Sequence, residues 1–176
     1  MIAALTLTLC LSGCANMDGT QGQTDSLQKA HADDTDSFQG QTTMINIGLP
    51  VKKMTITSGK NKHELTVEIA STDVTRKIGL MNRRSMDQDK GMLFKFDTQG
   101  YVYFWMKNTL FPLDMVFIDQ NGIVKHVAHG AKPCTAVNDA DCPKIPSTAP
   151  VKYVLEINSG VADKLPIKNG DQITWN

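Results

Sequence analysis

The chain has 176 residues, 41% of them hydrophobic, with 18 basic and 18 acidic side chains that cancel; that is room for one core-bearing domain plus accessory segments. The charge is uneven, with one lysine against five aspartates in residues 15–45 (net −4) and 17 basic against 13 acidic side chains in residues 46–176 (net +4). With no basic run, no Gly-rich phosphate loop and no zinc-finger spacing, nucleic acid is not an expected partner.

Residues 1–11 are small and apolar and lead into Leu11-Ser12-Gly13-Cys14. Such a stretch is too short to span a bilayer and reads as a secretion signal. The LSGC tetrapeptide resembles a bacterial lipobox, which implies a signal peptide over 1–13, cleavage before Cys14 and lipidation of its thiol. No Lys or Arg precedes Cys14, which points either to an upstream start or to a weak signal. The competing reading, a buried amino-terminal helix, lacks the one-sided polar pattern of such a helix. By the same resemblance, the absence of Asp directly after Cys14 favours the outer membrane of a two-membrane cell, with the chain facing the periplasm. Residues 14–45 are rich in Gln, Thr, Ser, Gly and Asp. They hold too little apolar surface to offset chain entropy and read as the lipidated cysteine and a disordered tether, reaching roughly 30 Å on average.

Residues 46–176 form the globular domain. Residues 51–57 and 63–70 alternate as strands around a Ser58-Gly59-Lys60-Asn61 turn. Ser71-Thr72-Asp73 offers capping side chains, and Val74, Ile78 and Met81 recur at helical spacing with Leu80 close by, so the spacing predicts a helix over 72–81 that sends Arg76 and Lys77 to solvent. A polar loop over 82–90 leads to a strand over 91–96. Residues 101–119 are the densest apolar run of the domain. A reversal between Asn108 and Pro112 predicts a central hairpin, apolar on both faces and so covered on both sides. Its predicted faces are Tyr101, Tyr103, Trp105, Met115 and Phe117 on one side, and Val102, Phe104, Met106, Val116 and Ile118 with Asp114 on the other. A register slip of one residue would exchange them. Asn121-Gly122 between apolar strands is a strong hairpin signal, which makes 101–128 a three-stranded meander. A proline-containing loop over 130–150 follows, then strands over 151–157 and 172–175 with a short helical stretch near 160–165. The fold class is α+β or mainly β, with about eight strands in a curved or barrel-like antiparallel sheet and one clear helix.

Five blocks stand in order: Gly79-Leu80-Met81, Gly91-Met92-Leu93-Phe94, Phe104-Trp105-Met106-Lys107-Asn108-Thr109, Pro112-Leu113-Asp114 and Tyr153-Val154-Leu155-Glu156. Together they resemble the family catalogued as domain of unknown function 192, a bacterial and archaeal group, from about residue 55 to 176. The resemblance implies membership and carries no reaction or ligand with it.

Cys134 and Cys142 lie in the long loop, and in an oxidising envelope compartment a disulfide is their natural product. A metal site with His126 or His129 is disfavoured, because positions three apart in a strand face opposite ways and the cysteines lack zinc-site spacing. A redox dithiol would need a CxxC motif. No metal or cofactor is expected. Asp114 is a carboxylate on an apolar face and needs partners. Either its oxygens accept backbone N–H groups in the Asn108–Leu110 turn, or it joins Lys107, Asn108, Thr109 and Arg83 at a small ligand pocket floored by Trp105, Tyr101 and Tyr103, although core packing is the commoner use of such rings. Glu156 could pair with Asp114, though an exposed strand position is the preferred reading. No GxSxG or HExxH motif is present. The expected function is a non-enzymatic, envelope-anchored module binding a small polar or anionic ligand, a glycan or another envelope protein. The alternatives are a hydrolase acting on an envelope polymer through Asp114, and a purely structural domain.

Overall fold

The computed structural model describes residues 48–176. The signal segment 1–13, Cys14 and the tether lie outside the described residues. Nine strands and two short helices run in the order β1 (Val51–Ser58), β2 (Asn61–Ala70), α1 (Asp73–Ile78), β3 (Lys90–Gly100), β4 (Tyr103–Phe104), β5 (Leu113–Ile118), β6 (Val124–Ala131), β7 (Ile145–Pro146), β8 (Val151–Asn158), α2 (Val161–Lys164) and β9 (Gln172–Trp175). Seven strands form one sheet in the order β6-β5-β8-β3-β2-β1-β9, and β4 pairs with β7 separately. The mainly-β expectation holds. The sheet is mixed, however, because β2 and β3 are parallel, joined through α1.

A flat sheet of seven strands would hold its edges about 29 Å apart at a strand spacing of about 4.8 Å. Here the edges touch. Ile123 bridges Gln172, and the Ile173 N–H donates to the Gly122 carbonyl at 2.8 Å. The Asn121-Gly122 turn permits this approach. Gly122 has φ +80°, and a Cβ there would sit 2.4 Å from the Ile173 carbonyl oxygen, a gap that only glycine fills. The ladder stops at that isolated bridge, so the sheet is strongly curled and not closed into a barrel.

Both faces are covered. Met54, Ile56, Leu93, Val116, Leu155 and Ile157 pack on one side with Val161 and Ala162 of α2. Met92, Phe94, Leu113, Met115, Phe117 and Val154 pack on the other with Leu80 and Met106. Every residue of β5 is buried, as its two-sided apolar pattern required.

The predicted central hairpin does not form. β5 lies between β6 and β8, and of residues 101–107 only Tyr103 and Phe104 are in a strand, against β7. Apolar alternation announces a strand but not its partner, and β8 offers β5 a six-residue ladder that the short 103–104 segment cannot match. The predicted faces also change: Phe104 and Met106 share their core with Met115 and Phe117. Tyr101 and Tyr103 are exposed.

The helix is shorter than predicted. Thr72 caps it, accepting the Thr75 N–H at 3.2 Å, and Gly79 ends it at φ +48°. Val74 is 62% exposed, so the apolar stripe does not reach the core, which receives Leu80 after the helix has ended. Arg76 does not go to solvent either. Its guanidinium bonds to the Ser71 and Lys95 carbonyls and to Asp73, and lies 5.4 Å from the Phe96 ring centroid.

Candidate functional site

Where the chain leaves α1 it is pinned to the segment after β4. Asn82 and Asn108 both adopt positive φ, a conformation asparagine tolerates better than most residues. The Asn82 N–H donates to the Asn108 carbonyl at 2.7 Å. Between these segments and the sheet lies a cavity of about 260 Å³, lined by Gly79, Phe94, Phe104, Trp105, Thr109 and Glu156 and by the cationic side chains of Arg76, Lys77 and Lys107. Gly79 fits its wall closely: a Cβ there would meet the Phe94 ring at 3.0 Å.

Glu156 comes from the middle of β8, with Met92 and Met115 beside it on the neighbouring strands. It is only 4% exposed. Burial pushes its carboxyl up to about 8, and no hydrogen bond or counter-charge offsets that penalty. The expectation of an exposed strand residue is therefore corrected: β8 sits near the sheet centre, and this position faces the cavity.

Two of the three cations around the hollow are already engaged, whereas Lys77 is exposed on α1 and has no side-chain partner among the described residues. Arg76 is held as described above. Lys107 is 14% exposed and donates to the Ala136 carbonyl at 2.9 Å. It also pairs with Asp139 at 2.8 Å. Both partners lie in the loop closed by the Cys134–Cys142 disulfide, and the Cys134 N–H bonds to the Met106 carbonyl. The disulfide thus shapes the loop that secures Lys107.

Asp114 is elsewhere. It is opposite Ile157 in the β5–β8 ladder, whereas Met115 is opposite Glu156, so the two acids point to opposite faces of the sheet. Asp114 is fully buried. Its carboxylate accepts the N–H groups of Gly130 at 2.9 Å, Gly160 at 2.8 Å and Ala162 at 3.0 Å. The backbone-bonded reading is right in kind, but the donors come from the end of β6 and the start of α2 rather than from the Asn108–Leu110 turn. Asp114 ties those elements together and does not converge with Lys107, Asn108 and Thr109.

Arg83 also stands apart. It forms a two-pronged pair with Glu68, at 2.7 and 2.6 Å, and these bonds hold the Glu68 carboxyl below its usual range. The pair lines a second hollow of about 410 Å³ with Thr66, Met86, Asp87 and Lys90. Of the predicted ligand-binding set, Trp105, Lys107 and Thr109 share one cavity, Asn108 is exposed beside it, and Arg83 and Asp114 do not join them. The signal for Glu156 was present in the sequence, as the one acid in the apolar Val154–Ile157 run. Among the described residues no cluster of three His, Cys, Asp or Glu side chains could hold a metal ion, and no helix is long and apolar enough to cross a membrane.

Solved structures similar to this chain include the following two. One is a Sinorhizobium meliloti protein described as a proposed transcription regulator, 37% identical, covering 72% of this chain and 95% of its own, with a TM-score of 0.66. The other is a Novosphingobium aromaticivorans protein of unknown function, 34% identical, covering 74% of this chain and 89% of its own, with a TM-score of 0.68. No curated protein matches the sequence. The family profile for DUF192, described as an uncharacterized ACR, matches residues 54–175, and with that span covering most of the chain, the protein belongs to this family.

Proposed function

We propose that the protein is an envelope lipoprotein held through Cys14, and that its domain is a non-enzymatic module that takes a small ligand into the cavity beside α1. One observation carries the ligand reading: Glu156 is buried against that cavity and has no partner of its own. An unpaired buried acid costs stability, and such groups concentrate where a site uses them. The Cys134–Cys142 disulfide supports an oxidising compartment. The lipobox-like LSGC sequence supports the anchor.

The raised carboxyl also favours a second reading, since an acid poised near neutrality suits general acid–base work. Against it, no histidine lines the cavity among the described residues, and Asp73 beside it is paired with Arg76. A hydrolase working through Asp114 has less support, because three backbone N–H groups occupy that carboxylate on the far face of the sheet.

The test is native mass spectrometry of the chain lacking residues 1–14, beside its Glu156→Leu variant, followed by amide-shift mapping with a fragment set. A molecule retained by the parent and lost from the variant is the expected result. No retained molecule, together with no fragment shifting amides around Glu156, would remove the ligand reading.

A further inference from the structure

The chemistry lining the cavity narrows the ligand class, an inference that rests on the small-ligand reading above. An occupant meets two kinds of surface. One is aromatic: Phe94, Phe104 and Trp105 line the hollow, with Phe104 perpendicular to Phe94 at a centroid distance of 4.9 Å. The other is the Glu156 carboxyl, with the buried residue Thr109 lining the same space. The cationic side chains would favour an anion if their donors were open. Arg76 instead spends its guanidinium on Ser71, Lys95 and Asp73, and Lys107 spends its ammonium on Ala136, Val137 and Asp139; Lys77 alone keeps its donors open, and it is exposed on α1 where water solvates it. An acid without a counter-ion among aromatic rings is the surrounding in which an organic cation gains both a charge partner and cation–π attraction.

We propose that the cavity beside α1 binds a small organic cation, an alkylammonium, with the Glu156 carboxylate as its counter-ion and the aromatic wall around its carbon groups. At about 260 Å³ the hollow is below the range of roughly 300–1,000 Å³ typical of drug-sized ligands, so the cation is small. The charge balance is explicit. In the unliganded protein burial keeps the Glu156 carboxyl protonated at neutral pH. The incoming ammonium keeps its own proton, the carboxyl gives up one proton to solvent, and the ion pair remains. Other charged or titratable groups lining the cavity are Asp73, Arg76 and Lys77 from α1, with Tyr103 and Lys107 from the segment opposite. β3 and β5 present Met92 and Met115 to Glu156, and the Glu68–Arg83 pair lies beyond Met92 on β2.

The experiment titrates the chain lacking residues 1–14 with butylammonium, butyrate and 1-butanol, following amide shifts around Glu156 from pH 6 to 9. Calorimetry in two buffers of different ionisation enthalpy counts protons. Butylammonium is expected to bind more tightly than the other two probes, with affinity rising about tenfold per pH unit up to the Glu156 midpoint and levelling above it. One proton is expected to be released per ligand near pH 7. Glu156→Gln should lose at least tenfold in affinity and lose the proton release. The parent's own pH profile decides the matter if that variant does not fold. Preferential binding of butyrate or 1-butanol in the same cavity, or ammonium binding without proton release, would overturn the cation assignment and leave the small-ligand reading intact. Shifts from none of the three probes would overturn the cation assignment and count against the cavity as a ligand site.

Discussion

Replacing Asp114 by Asn tests how the two ends of this fold are held together. One carboxylate oxygen accepts the Gly130 N–H and the other accepts those of Gly160 and Ala162. An amide offers a single acceptor oxygen. If that oxygen keeps Gly160 and Ala162, its NH2 group confronts the Gly130 N–H and that donor is stranded. Hydrogen bonds to a buried charged group contribute about 1.5–3 kcal/mol each, and neutral ones about half as much. One bond lost and two weakened therefore cost about 3–6 kcal/mol, a large share of the roughly 5–15 kcal/mol that holds a typical domain together. Guanidinium unfolding monitored by tryptophan fluorescence should show the midpoint falling with the slope unchanged, and hydrogen exchange should accelerate at Gly130, Gly160 and Ala162. A Glu156→Gln control should leave those three amides protected. If Asp114→Asn unfolds within about 1 kcal/mol of the parent, the carboxylate is not the clasp described above.

Three further outcomes follow from the structure. The Glu156 carboxyl is raised from 4.5 to about 8 in the folded state, so the native protein holds more protons than the unfolded chain between those values; stability should be fully present below about pH 4.5 and fall as pH rises to about 8, by a loss on the order of 4 kcal/mol, and Glu156→Gln should flatten that slope in a series of denaturant curves. Reducing the disulfide, or replacing both Cys134 and Cys142 by Ala, should cost about 2–3 kcal/mol and weaken the hold on Lys107, read as faster exchange of the 134–142 amides; unchanged thermal unfolding would contradict this. Arg83→Met removes the group that holds the Glu68 carboxyl down, so the Glu68 midpoint followed by carboxyl NMR should rise toward the ordinary glutamate value, and an unmoved midpoint would contradict the pairing.

Much of the fold was legible because it is written in local signals. The Thr72 cap, the Asn121-Gly122 turn and the strands β1, β2, β8 and β9 need only near neighbours, whereas the helix predicted over 72–81 runs past the stop at Gly79. The pairing of β5 was not legible. Its true partner β8 arrives after the disulfide loop, while the nearer 101–107 run looked like an adequate strand. The parallel β2–β3 contact departs from the expected antiparallel sheet, although a helix between two strands is the usual connection of a parallel pair. The site was half visible. The Phe104–Thr109 block was singled out, and Trp105, Lys107 and Thr109 do meet in one cavity. Asp114 drew attention as the acid out of place, yet its donors lie 16, 46 and 48 residues away, a distance over which no spacing rule operates. Glu156 reads in the sequence as an exposed strand acid, because a single acid in a strand is ordinarily exposed, and only the central place of β8 reverses that inference.

The curl of the sheet has a consequence for how copies of this protein behave when crowded. A long unpaired border strand is a template on which another chain can add by main-chain hydrogen bonding, the first step of aggregation. Here β9 is four residues long, and its start at Gln172 meets Ile123, just ahead of β6, through the bridge between the two borders. The Gln172 amide adds a bond across the same seam, to the Asn121 carbonyl at 3.0 Å. Opening that seam, for instance with Gly122→Val, should make the protein self-associate at concentrations the parent tolerates, read by light scattering against the parent.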